Sequence, residues 1–180
     1  MLRTLTVCLA LSIGGAAAAQ TCDYRQPAPS AAMIEAEKMR KAESSPFALI
    51  MHLRATTEKE PRNALAWQWR GSAEAAGGDY GAAIESLDKA VSLDPCDPAA
   101  RLTRAGLAAK LGQLKLAFDD YSAILSRDPA NALAHRLRGD ILFDVAEFSA
   151  ALLDYDAAVA TGSTDASPSM IRLYPPSDGG

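Results

Sequence analysis

The sequence predicts an all-α protein, a right-handed superhelical solenoid of stacked antiparallel helix pairs. Two observations carry this prediction. Prolines, arginines, alanines and helix-capping residues recur at intervals of 34 residues, and amphipathic helical patterns fill each interval twice. A fixed period in this range indicates units that stack on their neighbours. The recurring positions are Pro61, Pro95 and Pro129; Arg70, Arg104 and Arg138; Ala83, Ala117 and Ala151; and Asn63, Asp97 and Asn131.

The N-terminal residues are expected to lie outside the repeats. Residues 1–19 contain a short basic start at Arg3, an apolar run over residues 5–13 and small residues before Gln20, which is the pattern of a cleaved secretory signal. An N-terminal segment, residues 20–29, would follow. We therefore expect an exported protein, periplasmic or secreted, with no stable membrane span after cleavage; an uncleaved N-terminal anchor is the alternative.

Composition sets the outer limits. The chain has 180 residues, 49% hydrophobic content and a formal charge of −4, which are ordinary values for a globular domain and do not favour binding to nucleic acid. The chain that remains after cleavage has two cysteines, Cys22 and Cys96. In an oxidising compartment they could form a disulfide that ties the N-terminal segment to the first clear repeat. Two independent thiols are the alternative.

The repeats divide the chain into a degenerate unit, residues 30–63, three clear units, residues 64–97, 98–131 and 132–165, and a tail, residues 166–180. Asn63, Asp97 and Asn131 precede the first helix of each clear unit, where an N-cap is expected, and Pro98 suits a first helical turn. Gly78 and Gly112 are predicted at the turn between paired helices, with Ala146 in the third unit, and Asp79 is predicted to cap the helix that follows Gly78.

The second helix of each unit carries the clearest apolar face, and it ends at or shortly before an Asp-Pro pair in two of the units. The small residues on this face, Ala83, Ala117 and Ala151, are predicted to face small residues on the first helix: Gly71, Ala105 and Gly139. In the degenerate unit we expect helices near residues 31–43 and 46–58. Leu49 stands there in place of a small residue, so looser packing is predicted.

These residues resemble the tetratricopeptide repeat. The resemblance covers residues 64–165 and rests on signature positions in all three clear units: Trp67, Gly71, Gly78, Tyr80, Ala83, Ala90 and Pro95; Ala105, Gly112, Ala117, Tyr121 and Pro129; and Gly139, Phe148, Ala151, Tyr155 and Ala158. It implies a solenoid that binds a peptide or a helix of another protein in its concave groove, with no cofactor.

In such a solenoid the first helices line the groove. The candidate partner-binding residues are Gln68, Trp69, Leu102, Lys110, Arg136, Asp140 and Phe143. Trp69 is the strongest candidate for a binding hot spot, because a large amphipathic side chain in a groove contributes most when a partner covers it. Packing against the degenerate unit is the alternative. Some family members grip a terminal carboxylate with lysine, arginine and asparagine, and this groove set has no asparagine, which disfavours such a clamp.

The arginine ladder, Arg70, Arg104 and Arg138, could form an anion-binding strip. We favour internal ion pairs instead, because each arginine precedes the small residue at the helix contact, and acidic residues recur where they could pair with it. The expected partners are Glu85 in the first clear unit, Asp119 or Asp120 in the second and Asp154 or Asp156 in the third.

No catalytic or metal-binding pattern is recognised. The two histidines, His52 and His135, are far apart, and His135 occupies the repeat position of Trp67, where packing is expected. The sequence therefore predicts a non-catalytic scaffold or adaptor of the bacterial cell envelope. The alternatives are an accessory subunit of an envelope enzyme or assembly system, and an enzyme with an unrecognised site.

The tail contains Met170, Ile171, Leu173 and Tyr174. These side chains are expected to cover the last repeat, or to remain partly disordered; docking on another protein, including a homodimer through the C-terminal end, is the alternative.

Overall fold

The computed structural model describes residues 28–42 and 45–163, and these contain eight α-helices and no strand. The helices are α1 Ala31–Lys41, α2 Pro46–Lys59, α3 Ala64–Ala76, α4 Tyr80–Leu93, α5 Pro98–Lys110, α6 Leu114–Leu125, α7 Ala132–Asp144 and α8 Phe148–Ala160. The helices pair as α1 with α2, α3 with α4, α5 with α6 and α7 with α8, and each pair packs on the next. The prediction of an all-α solenoid of stacked helix pairs is confirmed.

The helix starts follow the sequence signals. Side chains of Asn63, Asp97 and Asn131 accept hydrogen bonds from backbone N–H groups in the first turns of α3, α5 and α7, and Asp79 does the same for α4. Such caps satisfy donors that the helix itself cannot pair. These predicted caps are confirmed.

The turns between paired helices use a left-handed residue. Gly78 has φ +87° and Gly112 has φ +72°, and the third turn places Ala146 at φ +64°. Glycine adopts this region at no steric cost, whereas alanine pays for its Cβ. The third unit therefore keeps the turn geometry with a residue that disfavours it.

The core is built from small residues at the helix crossings. Ala83, Ala117 and Ala151 are fully buried, which matches the predicted stripes of the second helices. A Cβ at Gly71 would lie 2.7 Å from Leu87 Cγ and 2.9 Å from the Ala83 carbonyl oxygen, so α3 and α4 approach too closely for any side chain at that position.

The degenerate unit packs more loosely, as predicted. Its helices α1 and α2 touch over a shorter stretch than the helix pairs of the later units. The His52 Nε2–H group donates a hydrogen bond to the Ala32 carbonyl oxygen over 2.8 Å, and Met33, Ala36 and Leu53 are buried where the unit meets α3. His52 is thus a structural residue that joins α1 to α2.

Several predictions fall on residues that the structure does not describe: the signal at residues 1–19, Cys22 and the tail from residue 166. Cys96, between α4 and α5, is disulfide-bonded. Since residues 28–42 and 45–163 contain no second cysteine, its partner lies outside them, and the pairing with Cys22 stays a prediction. Within the described ranges no helix is long and apolar enough to cross a membrane.

Candidate interaction surface and arginine network

The inner face of the stack is formed by the first helices of the units. Helix α3 contacts α5 directly, although α4 lies between them in the chain. The predicted groove residues lie on the first helices α3, α5 and α7.

Trp69 lies at the N-terminal part of this surface and is half-buried. It packs against the buried cluster that contains Met33 and Leu53 of the degenerate unit, and the Arg40 guanidinium carbon lies 5.0 Å from the centre of its ring. This is the packing role that the sequence left open beside the hot-spot role. One part of the ring stabilises the junction with α1 and α2, and the remainder is accessible.

The middle of the surface holds the other predicted residues of α3 and α5. Gln68 is partly buried, Leu102 packs against the core cluster of α5, α6 and α7, and Lys110 is exposed in the last turn of α5. Lys110 is the most accessible charge among the seven predicted groove residues. Leu102 contributes mainly to the core.

A polar cluster lies on α7. The Arg136 Nη1 atom is 3.5 Å from Asp140 Oδ2, and the Tyr155 hydroxyl donates to Asp140 Oδ1 over 2.9 Å. Tyr155 comes from α8, so the second helix supports a charged pair on the face of the first. The arrangement holds a carboxylate and a guanidinium side by side on the groove surface.

Phe143 closes the C-terminal part of the surface. Its ring meets Phe148 of α8 edge-on, with ring centres 5.3 Å apart, and it packs against the cluster of Ala151 and Tyr155. The inner surface thus has an aromatic residue towards each end, with polar side chains between.

Two of the ladder arginines, Arg104 and Arg138, each bridge three helices. Arg104 on α5 binds Asp120 on α6 through Nε and Nη2, at 2.8 and 2.7 Å, and Asp88 on α4 through Nη1 at 2.7 Å. Arg138 on α7 repeats this with Asp154 on α8, at 2.7 Å for both nitrogens, and Ser122 on α6 at 3.2 Å. Each of these arginines therefore connects its own unit to the preceding one. Of the two acidic partners predicted for each, Asp120 binds Arg104 and Asp154 binds Arg138.

The prediction that Glu85 pairs with Arg70 is wrong. Glu85 is exposed, and Arg70 Nε donates instead to Glu74 Oε1 over 2.9 Å, one turn along its own helix. The repeat position of Asp120 and Asp154 is occupied by Ser86, which donates to Glu74 Oε2 over 2.6 Å. Glu74 is fully buried and places its carboxylate where the later units have an aspartate.

A second repeat position makes the same hydrogen bond in all three clear units, although a different type of side chain occupies it in each unit. Trp67, Arg101 and His135 are equivalent, and each donates a hydrogen bond to the carbonyl oxygen of the proline six residues earlier: Pro61, Pro95 or Pro129. His135 also contacts Asp154 through Nδ1 at 2.9 Å. Because both ring nitrogens are engaged by neighbouring structure, His135 is placed to hold the unit together.

Burial and neighbouring charges shift the pKa values of Tyr121 and Arg104. Burial, with Asp140 adding to its effect, raises the pKa of Tyr121 to about 12. Burial alone would lower the pKa of Arg104, but the hydrogen bonds and charge of Asp120 and then Asp88 outweigh it and raise the pKa above its usual range. Arg104 is therefore permanently charged where it connects α4, α5 and α6.

A cavity of about 170 Å³ lies between the α4–α5 turn and the end of α6. Its two arginines, Arg101 and Arg127, both donate to the Pro95 carbonyl oxygen, and Arg101 also pairs with Asp120.

The described ranges contain no group of three or more His, Cys, Asp and Glu residues placed to hold a metal ion.

Three contributors were missed from the sequence: Arg40, which covers Trp69, Tyr155, which supports Asp140, and Glu74. Tyr155 is a signature position of the repeat, and its hydroxyl is the signal that it needs a polar partner when buried. Glu74 could have been found from the sequence. The first clear unit has Ser86 where the later units have an aspartate on the second helix, and it has an acidic residue, Glu74, on its first helix.

The comparisons with known proteins agree with this architecture. A family model described as tetratricopeptide repeat matches residues 52–100 and 102–169. The comparison with curated proteins gave no match.

Solved structures share the fold at low sequence identity. MamA from Desulfovibrio magneticus is 22% identical over 75% of this chain and 78% of its own, with a TM-score of 0.68. A tetratricopeptide repeat protein from Parabacteroides merdae is 20% identical over 79% of this chain and 56% of its own, with a TM-score of 0.70. The first repeat domain of Spaghetti (RPAP3), solved with an HSP90 peptide, is 21% identical over 61% and 86%, with a TM-score of 0.55.

Proposed function

Since this chain belongs to the tetratricopeptide repeat family, we propose that it is a non-catalytic scaffold of the bacterial cell envelope that binds a peptide or helix of another protein along its inner surface. The observation that carries the proposal is the surface formed by α3, α5 and α7. The positions that repeat are used in the core and in the arginine network, whereas Trp69, Lys110, Arg136 and Phe143 differ from unit to unit.

The chemistry of this surface suggests the kind of segment that fits it. Aromatic side chains lie towards its two ends, and Lys110 and the Arg136–Asp140 pair lie between them. A bound segment would bury apolar side chains against Trp69 and Phe143 and place polar groups at the centre. Recognition by an extended peptide or a single helix is a common use of such grooves.

The solved complex of the Spaghetti domain with an HSP90 peptide supports peptide binding as an activity of this fold. It does not extend to the same ligand here, because the predicted groove residues contain no asparagine for a carboxylate clamp.

Site-specific photocrosslinking in the native cells tests the proposal. A photoreactive residue at Ser72 or Lys110, both exposed on first helices, should capture a specific protein. The matched positions Ser92 and Lys89, exposed on the second helix α4, should not. Capture from both sets with equal yield, or from neither, would contradict groove binding.

Binding of the identified segment to the purified chain then gives the affinity. Lys110→Glu should weaken binding at least about tenfold, equivalent to about 1.4 kcal/mol, while Lys89→Glu should leave it unchanged. Both changes reverse one exposed charge, so they differ only in the face that carries it. Trp69→Ala is a poorer probe, since it also removes packing against the degenerate unit.

The envelope location has its own test. A cell fractionation experiment with intact-mass measurement should find the protein outside the cytoplasm, beginning at Gln20. An intact N-terminus in the cytoplasmic fraction would contradict the signal, and an intact N-terminus in the membrane fraction would favour an anchor.

A further inference from the structure

Helix α2 has an exposed apolar face. Phe47 is 71% exposed, Met51 is also exposed, and Ala55 continues the same face one turn further along. These residues are spaced four apart, so their side chains stand one above another on the helix surface. Large apolar side chains that adjoin one another in water are typical of a surface that another molecule covers.

Helix α8 has a matching face at the same repeat positions. Leu153 stands three repeats after Met51, and Ala157 stands three repeats after Ala55. Leu153 is 71% exposed, and Ala150 and Ala157 lie half-buried beside it. The degenerate unit and the third clear unit therefore expose the same part of their second helices.

The two units between them carry charges at the central position of this face. The position of Met51 and Leu153 is occupied there by exposed acidic residues, Glu85 of α4 and Asp119 of α6. Among the four described helix pairs, only the first and the last expose an apolar side chain at this position. The apolar faces are thus a property of the two end units and not of the repeat.

The exposed charges beside the two faces are opposite in sign. Helix α2 exposes two basic side chains and one acidic side chain: Arg54, Lys59 and Glu58. Arg54 is 45% exposed, although it lies 3.6 Å from Glu74. The exposed charge of α8 is Asp156, which occupies the repeat position of Arg54. Contact between the two faces therefore brings opposite charges together, whereas contact of either face with its own copy brings like charges together.

A single kind of occupant accounts for both faces. The two faces are exposed in the same chain, so they do not cover each other within it. A surface of anionic lipid would attract the basic side chains of α2 but repel Asp156, and would leave Leu153 in water. A second copy of the chain presents each face with a complementary one.

We propose that the chain self-associates head to tail, with the α2 face of one copy packed on the α8 face of the next. A dimer of this kind keeps one free face of each type, so the contact is heterologous and continues into a ring or a filament. A contact between two single helices is small, so association should be weak, with a Kd of about 1–100 μM. The proposal is independent of peptide binding by α3, α5 and α7.

Light scattering and sedimentation velocity of the purified chain test the self-association. The mean mass should rise as the concentration increases from about 1 to about 500 μM. Phe47→Asp and Leu153→Asp should each abolish this rise. Both positions are exposed, so the variants should fold as the parent does. A mixture of the two variants should form a 1:1 complex, because one keeps an intact α8 face and the other keeps an intact α2 face.

The matched control is Lys115→Asp, which changes the repeat position of Phe47 on α6 and should leave the association unchanged. Loss of association in only one of the two face variants would indicate contact between identical faces and would overturn the proposal. A parent chain that is monomeric at every concentration would overturn it too. If that monomer sediments with phosphatidylglycerol vesicles and Phe47→Asp does not, a lipid surface is the occupant of α2 instead.

Salt gives a second readout that depends on the charges. Raising the NaCl concentration from about 50 mM to about 500 mM should weaken the association by about threefold or more, because it screens the attraction between the two faces. Association that becomes stronger with salt would show that like-charged faces meet, and would overturn the head-to-tail arrangement.

Discussion

At the scale of single residues, the first clear unit carries its buried carboxylate on a different helix from the later units. Ser86 stands where Asp120 and Asp154 stand, and Glu74 on α3 holds both Arg70 and Ser86. A guanidinium held between helices needs a charged partner, and in the first clear unit Glu74 of α3 supplies it in place of an aspartate on α4.

A double-mutant cycle measures this exchange. Glu74→Ala should lower the free energy of unfolding by about 2–4 kcal/mol, because Arg70 and Ser86 lose their acceptor. Ser86→Asp in that background should recover at least half of the loss by restoring the arrangement of the later units. Urea unfolding provides the measurement. A double variant no more stable than Glu74→Ala would contradict the equivalence of the two arrangements.

Tyr121 should make stability fall at high pH. Its folded pKa of about 12 lies above the ordinary value of 10.0, so the folded state favours the neutral phenol. The resulting stability is fully present below about pH 10 and is lost as the pH rises from about 10 to about 12. Thermal unfolding of the parent and of Tyr121→Phe should therefore diverge in slope across this range. Parallel curves would show that Tyr121 does not contribute.

At the scale of helices, the distance between the two helices of a pair depends on the size of the side chains where they cross. Gly139 lets α7 approach Tyr155 of α8, and an added Cβ would lie 2.6 and 2.8 Å from two ring atoms. Gly106, also inside a first helix, has no neighbouring atom within 4 Å of an added Cβ. The two glycines therefore have opposite roles.

Alanine substitutions at Gly139 and Gly106 should have opposite effects on stability. Gly139→Ala should lower the free energy of unfolding by about 1–3 kcal/mol through overpacking, whereas Gly106→Ala should raise it by about 0.5–1 kcal/mol through helix propensity. Denaturant unfolding of both variants checks this pair. A neutral Gly139→Ala would show that α7 and α8 can separate at little cost.

The turn between α7 and α8 offers a stabilising change. Ala146 occupies the left-handed conformation that Gly78 and Gly112 adopt in the earlier turns. Ala146→Gly should raise the free energy of unfolding by about 1 kcal/mol, and the reverse change Gly112→Ala should lower it by a similar amount. Opposite signs in calorimetry or urea unfolding are expected; a loss in both variants would mean that chain entropy outweighs the strain at residue 146.

At the scale of the whole molecule, the contacts run mainly between consecutive helices, so each unit depends on its neighbours. The disulfide at Cys96 is an exception to this local order, since its partner lies outside the described residues. A bridge to Cys22 would tie the N-terminal segment to the turn between the first and second clear units.

Thiol titration of the denatured chain from residue 20 tests the bridge. No free thiol should be present before reduction and two after it, and Cys22→Ser and Cys96→Ser should each lower the free energy of unfolding by about 2–4 kcal/mol. Two free thiols before reduction, or a disulfide-linked dimer on a non-reducing gel, would contradict the intramolecular pairing.

The sequence by itself determined the repeat, the helix pairs and the caps at Asn63, Asp97 and Asn131, because these depend on local periodicity and on hydrogen bonds within one helical turn. Only the tertiary structure decided that Arg70 pairs with Glu74 rather than Glu85, and that Trp69 packs against the degenerate unit beneath Arg40. Periodicity assigns a side chain to a face of its helix. Which neighbour it meets there depends on the spacing and rotation of the packed helices, and these follow from residues elsewhere in the chain.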